Sequence, residues 1–247
     1  MDFLLEKPMY RILYYLFLIL GVSFFATCHI GKKHHSHHNS AQEHMHSVNF
    51  DDLVNKLEDP SREEWQKPNE VISLIHENMG GKKLEKPTIL DMGAGSGYFT
   101  FRLLEQRFKV IATDIDERFI QHLAKKASKH PKKDNLEIRK VELDKPGLNS
   151  KEVDVVLSVN LYHHIDDRVS YFKKLKNGIK DSGILYIIDF KEGNIPVGPP
   201  PEIKISTKVI LEELKMAGYE VRVNEKLLPY QNIFIANHSL KGENLWN

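Results

Sequence analysis

The sequence predicts an α/β domain on an open, largely parallel sheet. Three observations lead there. A strand-like run from Pro87 ends at Asp91 and opens a loop with glycines at 93, 95 and 97. Strand-like and helix-like segments then alternate from Pro87 to Leu214. Finally, Asp91, Asp114, Asp144 and Asn160 all fall at strand ends, where an open α/β sheet binds its ligand.

Each element has its own signal. Residues 50–57 and 62–78 read as helices, with a break over Trp65 to Pro68. Trp65 is either a lid over the site or plain core packing. Ile89 and Leu90 end the first strand, and Tyr98, Phe99, Phe101, Leu103 and Leu104 give the next helix an apolar face. The second strand runs from Phe108 to Asp114, and Asp116 is placed to cap a helix over 117–129. Leu136 to Val141 alternates as a third strand, and Val153 to Val159 is a continuous apolar run suited to a sheet buried on both faces. A helix over 168–179, a strand over 184–190 and a Gly/Pro-rich loop over 193–201 follow. Ser206 or Thr207 caps a helix that Gly218 ends, and strands over 219–224 and 230–236 close the chain as an antiparallel pair.

The glycine loop carries the chemistry. Glycines there let the backbone turn sharply and let a ligand rest directly against it. The dinucleotide fingerprint is G-x-G-x-x-G, whereas this chain has D-x-G-x-G-x-G, with Tyr98 where the third glycine would stand. Asp114, with Ile115 beside it, lies about twenty residues further on, placed for a ribose diol. A carboxylate has two acceptor oxygens and a vicinal diol two donors. Asp116 is the rival for that contact.

The acid-plus-glycine pattern resembles motif I of the class I S-adenosylmethionine-dependent methyltransferases, and the likeness runs from about Glu63 to the C-terminus. The resemblance implies a three-layer Rossmann-like sandwich whose seven-stranded sheet is mostly parallel with an antiparallel last strand. It also implies S-adenosylmethionine as cofactor, held by Asp91, Gly93, Gly95, Gly97, Asp114, Ile115, Asp144 and Asn160. Asp91 would face the ammonium of the amino-acid tail, and Asp144 would accept from the adenine amino group. The loop from Asn160 to Asp167 would face the methyl group. A hydroxyl acceptor needs a general base, and His163 and His164 are the imidazoles in that loop; the alternative for each is a structural hydrogen bond. Tyr162, Tyr230 and Gln231 are candidates to line the substrate side. The expected reaction is methyl transfer to a small molecule. The competing readings are an NAD-linked oxidoreductase and a non-catalytic, membrane-tethered lipoprotein that binds the cofactor or metal.

Composition narrows the classes. The net charge of +1 comes with interspersed acids and bases, so there is no basic stripe for nucleic acid. Cys28 is the sole cysteine, which excludes an intrachain disulfide and a thiol nucleophile in the globular part. Residues 1–30 combine Lys7 and Arg11 with an apolar run from Ile12 to Ala26 and no Lys, Arg, Asp or Glu from Ile12 to Ile30, the pattern of a signal peptide or membrane anchor. Phe25 to Cys28 resembles a lipoprotein cleavage site. The chain is therefore expected to be membrane-associated through this segment, as a lipoprotein or an uncleaved anchor, with either side of the membrane open. Residues 31–49 form a His-rich linker with no fixed geometry for a catalytic metal, and residues 50–247 form the catalytic domain.

Overall fold

The computed structural model describes residues 48–79 and 86–238. The N-terminal segment and most of the His-rich linker lie outside the described residues. Among those described, no helix is long and apolar enough to cross a membrane.

Three helical pieces precede the sheet: α1 (Phe50–Leu57), the single turn α2 (Arg62–Trp65) and α3 (Pro68–Asn78). Asn49 caps α1 by accepting from the backbone N–H groups of Asp51 and Asp52. Pro68 stands at the first turn of α3, where its missing N–H costs nothing, and Lys67 before it takes a left-handed φ of 44°. Then follow β1 (Thr88–Met92), α4 (Tyr98–Glu105), β2 (Lys109–Asp114), α5 (Glu117–Ser128), β3 (Leu136–Lys140), β4 (Val153–Val159), α6 (Arg168–Lys176), β5 (Ile179–Phe190), α7 (Thr207–Met216), β6 (Tyr219–Asn224) and β7 (Gln231–His238).

The seven strands form one sheet in the order β3-β2-β1-β4-β5-β7-β6. Neighbouring strands from β3 to β5 pair parallel, while β7 runs antiparallel to both β5 and β6. This is the predicted α/β sandwich with its antiparallel last strand.

Adjacent residues on a strand point to opposite faces, and the core divides accordingly. Ile89, Val110, Val155, Leu157 and Ile188 pack with Val71, Ile75, Phe99 and Leu103 of α3 and α4. Leu90, Ile111, Val156, Leu185 and Ile187 pack with Phe172, Leu175, Ile210 and Leu214 of α6 and α7. Strand order reverses beside β1, and the crevice there opens at the strand ends.

Two boundaries differ by more than two residues from expectation. Helix α6 stops at Lys176 rather than reaching Ile179, and β5 starts at Ile179 rather than Ile184. The helix ends at the Asn177-Gly178 step, whose carbonyls accept from the N–H groups of Lys151, Glu152 and Val153, and Gly178 packs where a Cβ would meet the Leu148 side chain at 2.6 Å. Ile179 then pairs with Val153, ahead of an irregularity in the ladder.

Candidate active site

A cavity of about 210 Å³ opens at the C-terminal ends of β1, β2 and β4. Its floor is the loop from Gly93 to Gly97. All three glycines take positive φ, at 72°, 53° and 84°. Gly93 and Ala94 donate their N–H groups to the Thr113 carbonyl at 2.9 Å, which ties the loop to the end of β2. At Gly95 the nearest atom to a built Cβ is Leu57 Cδ1 at 3.4 Å, so bare backbone lies open beneath α1.

Two carboxylates flank this floor. Asp91 is 3% exposed and accepts from Thr100 Oγ1 at 2.5 Å. Burial pushes its pKa up to about 6. Asp114 is also pushed upward by burial. Its Oδ2 accepts from Gly95 N and its Oδ1 from the Asp116 N–H, each at 2.9 Å. Each oxygen keeps a further lone pair for a diol. Asp116 caps α5 through Arg118 N and also pairs with the Arg118 guanidinium at 2.7 Å. Its carboxylate thus serves the helix, as the capping reading has it.

Arg62 also lines the cavity. Sequence reasoning missed it, because a single arginine in a polar helical run carries no signal. It is 7% exposed, with its guanidinium 3.8 Å from the Tyr98 ring centroid. Burial lowers its pKa to about 10. It donates to the Leu57 carbonyl and to Gln66. An acid and a base lining one cavity suit a zwitterion.

The structure redistributes several expected site residues. Asp144 lies outside the cavity, exposed and paired with Lys174 at 3.2 Å. The chain turns at Glu142, whose carbonyl accepts from Lys145 N, and Asp144 is carried onto α6. Val141, Glu142 and Leu143 line the cavity in its place. Gly97 is a packing glycine: a Cβ there would stand 2.6 Å from Phe101 and 2.7 Å from Leu123. Tyr162 is fully buried, stacked on Phe172, and donates to Glu213 at 2.6 Å. Burial and that carboxylate raise its pKa. It belongs to the core, because its short 3-10 turn points it down onto α6 and α7. His163 is also turned inward, with Nδ1 2.9 Å from Asp189 Oδ1 and its backbone N–H on Asp189 Oδ2. His164 lines the cavity, its ring centroid 4.2 Å from that of His163. Tyr230 is half-buried and off the cavity wall, and Gln231 reaches it only through Asn160. Trp65 packs near Phe190 rather than over the opening.

The arrangement fits an adenosyl group with an amino-acid tail. Ser96 and Thr113 are each 1% exposed, line the cavity and have hydroxyls with no protein partner. Such orphaned groups call for a ligand. Ile115 and Leu143, two of the few large exposed apolar side chains, stand with Val141 and Phe119 where a flat ring would be held. No cluster of metal-ligating side chains occurs among the described residues.

Comparison with known proteins agrees with this geometry. Residues 90–185 match the family model described as a methyltransferase domain. A solved S-adenosylmethionine-dependent methyltransferase from Aquifex aeolicus superposes with a TM-score of 0.67 at 29% identity, over 76% of this chain and 98% of that one. A probable S-adenosylmethionine-dependent methyltransferase from Mycolicibacterium smegmatis is 25% identical over 54% of this chain and 52% of its own length. A malonyl-[acyl-carrier protein] O-methyltransferase from Halalkalibacterium halodurans is 25% identical over 49% of this chain and 45% of its own length. The chain spans about half the length of these curated relatives. The fold is that of the S-adenosylmethionine-dependent methyltransferases, and residues 90–185 are similar to a methyltransferase domain.

Proposed function

We propose that this protein is an S-adenosylmethionine-dependent methyltransferase acting on a small molecule, tethered to a membrane through residues 1–30. One observation carries the reading: the two buried carboxylates Asp91 and Asp114 flank an open glycine backbone lined by unpartnered Ser96 and Thr113 hydroxyls. The tether rests on sequence alone and lies outside the described residues.

Asp114 holds the ribose hydroxyls, and its two backbone donors keep both oxygens in place for them. Asp91 neutralises the ammonium and Arg62 the carboxylate of the amino-acid end. Val141, Leu143 and Ile115 enclose the adenine. Bound S-adenosylmethionine supplies an activated methyl carbon with a neutral thioether as leaving group. The protein's share is alignment and exclusion of water. Leu57 and Arg62 cover one side, and Leu161, Ile165 and Tyr171 enclose the methyl end. Among the described residues His164 is the imidazole on this wall, placed to take a proton from an acceptor hydroxyl or ammonium.

The test is transfer itself. The full chain is incubated with methyl-labelled S-adenosylmethionine and a fractionated cell extract. Label should enter a small-molecule fraction and should stay out of it with Asp114→Ala. Label confined to unreacted donor, although the donor binds, would contradict a transferase.

A further inference from the structure

Four side chains from three separate stretches of the sequence join into one relay. Arg62 Nε donates to Gln66 Oε1 at 2.8 Å, and Nη2 donates to the same oxygen. Gln66 Nε2 donates to Gln231 Oε1 at 3.0 Å. Gln231 Nε2 donates to Asn160 Oδ1. Gln66 and Gln231 are fully buried and off the cavity, whereas Arg62 and Asn160 both line it. The relay thus runs behind the cavity wall, from the N-terminal helices through the start of β7 to the tip of β4.

The relay has a fixed polarity. A guanidinium only donates, while an amide has a donor end and an acceptor end. Gln66 must therefore turn its carbonyl to Arg62 and its NH2 to Gln231. Gln231 is oriented in turn, and Asn160 is left with its carbonyl on the relay. The Asn160 NH2 group, which takes no protein acceptor among the described residues, is then the free end. The backbone at Asn160 is fixed as well, with φ at 58° and its N–H on the Ile188 carbonyl at 2.8 Å.

Position tells which part of a ligand this donor meets. β1 lies between β2 and β4, and Met92 pairs with both Thr113 and Ser158. Asp114 at the tip of β2 and Asn160 at the tip of β4 therefore stand on opposite sides of the glycine loop. If the ribose is on the β2 side, the amino-acid end lies towards β4.

We propose that Gln66 and Gln231 are positioning residues that hold the Asn160 NH2 group as a donor to an oxygen at the amino-acid end of the ligand. This rests on the S-adenosylmethionine reading of the cavity. The relay also accounts for a fully buried glutamine at the start of β7, whose amide is satisfied by Gln66 and Asn160.

The full chain is titrated by calorimetry with S-adenosylmethionine and with 5′-methylthioadenosine, which keeps the adenosyl group but lacks the amino-acid end. Gln231→Leu breaks the relay. Asn160→Asp keeps the bond from Gln231 and tolerates the positive φ, but replaces the NH2 group with an oxygen. Each variant should lose about tenfold or more in affinity for S-adenosylmethionine, while methylthioadenosine changes by less than about twofold. A purely structural defect would weaken both ligands together. If either folded variant keeps the wild-type ratio of the two affinities, this inference is overturned while the cavity's assignment stands. If the wild-type chain binds neither ligand, the assignment falls and the inference with it.

Discussion

Asp91 couples the stability of the empty protein to its ligand. Its pKa rises from 3.8 to about 6 through burial. Between those values the folded protein holds the proton more tightly than the unfolded chain, so stability falls as pH rises through the window. Above about pH 6 the penalty is complete, on the order of 3 kcal/mol. Asp91→Asn should therefore stabilise the ligand-free chain by roughly 2–3 kcal/mol at about pH 7.5, with the gain vanishing below about pH 4. Urea unfolding across pH measures this, and an unchanged stability near neutrality would refute it. The same variant should bind S-adenosylmethionine more weakly, since an amide cannot neutralise an ammonium. The glycines separate by role in the same way. Gly97→Ala combines positive φ with contacts under 3 Å, and should cost roughly 2–4 kcal/mol in denaturant unfolding. Gly95→Ala has room beneath Leu57 and should cost only about 1 kcal/mol. Its larger effect should fall on ligand affinity. Equal stability losses would remove the distinction between packing glycine and ligand glycine.

Among the elements, α1 is the one held least by the core. It buries no residue, and its ties are peripheral: the Phe50 ring 5.1 Å from Phe119, and Glu58 paired with Lys126 at 2.5 Å. Yet Leu57 at its end lines the cavity, and its carbonyl accepts from Arg62. Few buried contacts mean a low local opening free energy. Amides across α1 and α2 should exchange hydrogen quickly in the empty protein and gain protection with S-adenosylmethionine bound. Ligand-independent exchange there would show that these helices are no part of the site. This scale also explains what the sequence made legible. Periodicity and end signals located each strand, because the central strands are buried on both faces and read as apolar runs. Asp116 was legible as a helix cap from its place before an amphipathic stretch. The direction of the turn after β3 was not: Glu142 and Asp144 are equally acidic, and only the Lys174 pairing shows which one leaves the site. The same holds for His163 and His164, which adjacent positions in a short turn send to opposite environments.

Across the molecule, the order β3-β2-β1-β4-β5-β7-β6 gathers the loops after β1, β2, β3 and β4 at one crevice. Asp91, Asp114 and Asn160 meet there because parallel pairing in register puts strand ends side by side. That convergence follows from topology and was open to sequence reasoning. Arg62 and Gln66 were not, and Gln231 was legible only as a candidate on the substrate side, since nothing local marks side chains that meet across 165 residues of chain. The acid before the glycines and Tyr98 after them distinguish a sulfonium donor from a dinucleotide, because a buried carboxylate facing the loop repels a pyrophosphate and attracts an ammonium. Isothermal titration of the full chain with S-adenosylmethionine and, separately, with NAD tests this most directly. Saturable binding of S-adenosylmethionine at one site per chain, displaced by S-adenosylhomocysteine, with no heat from NAD, is the expected result; heat from NAD, or none from S-adenosylmethionine, would contradict it.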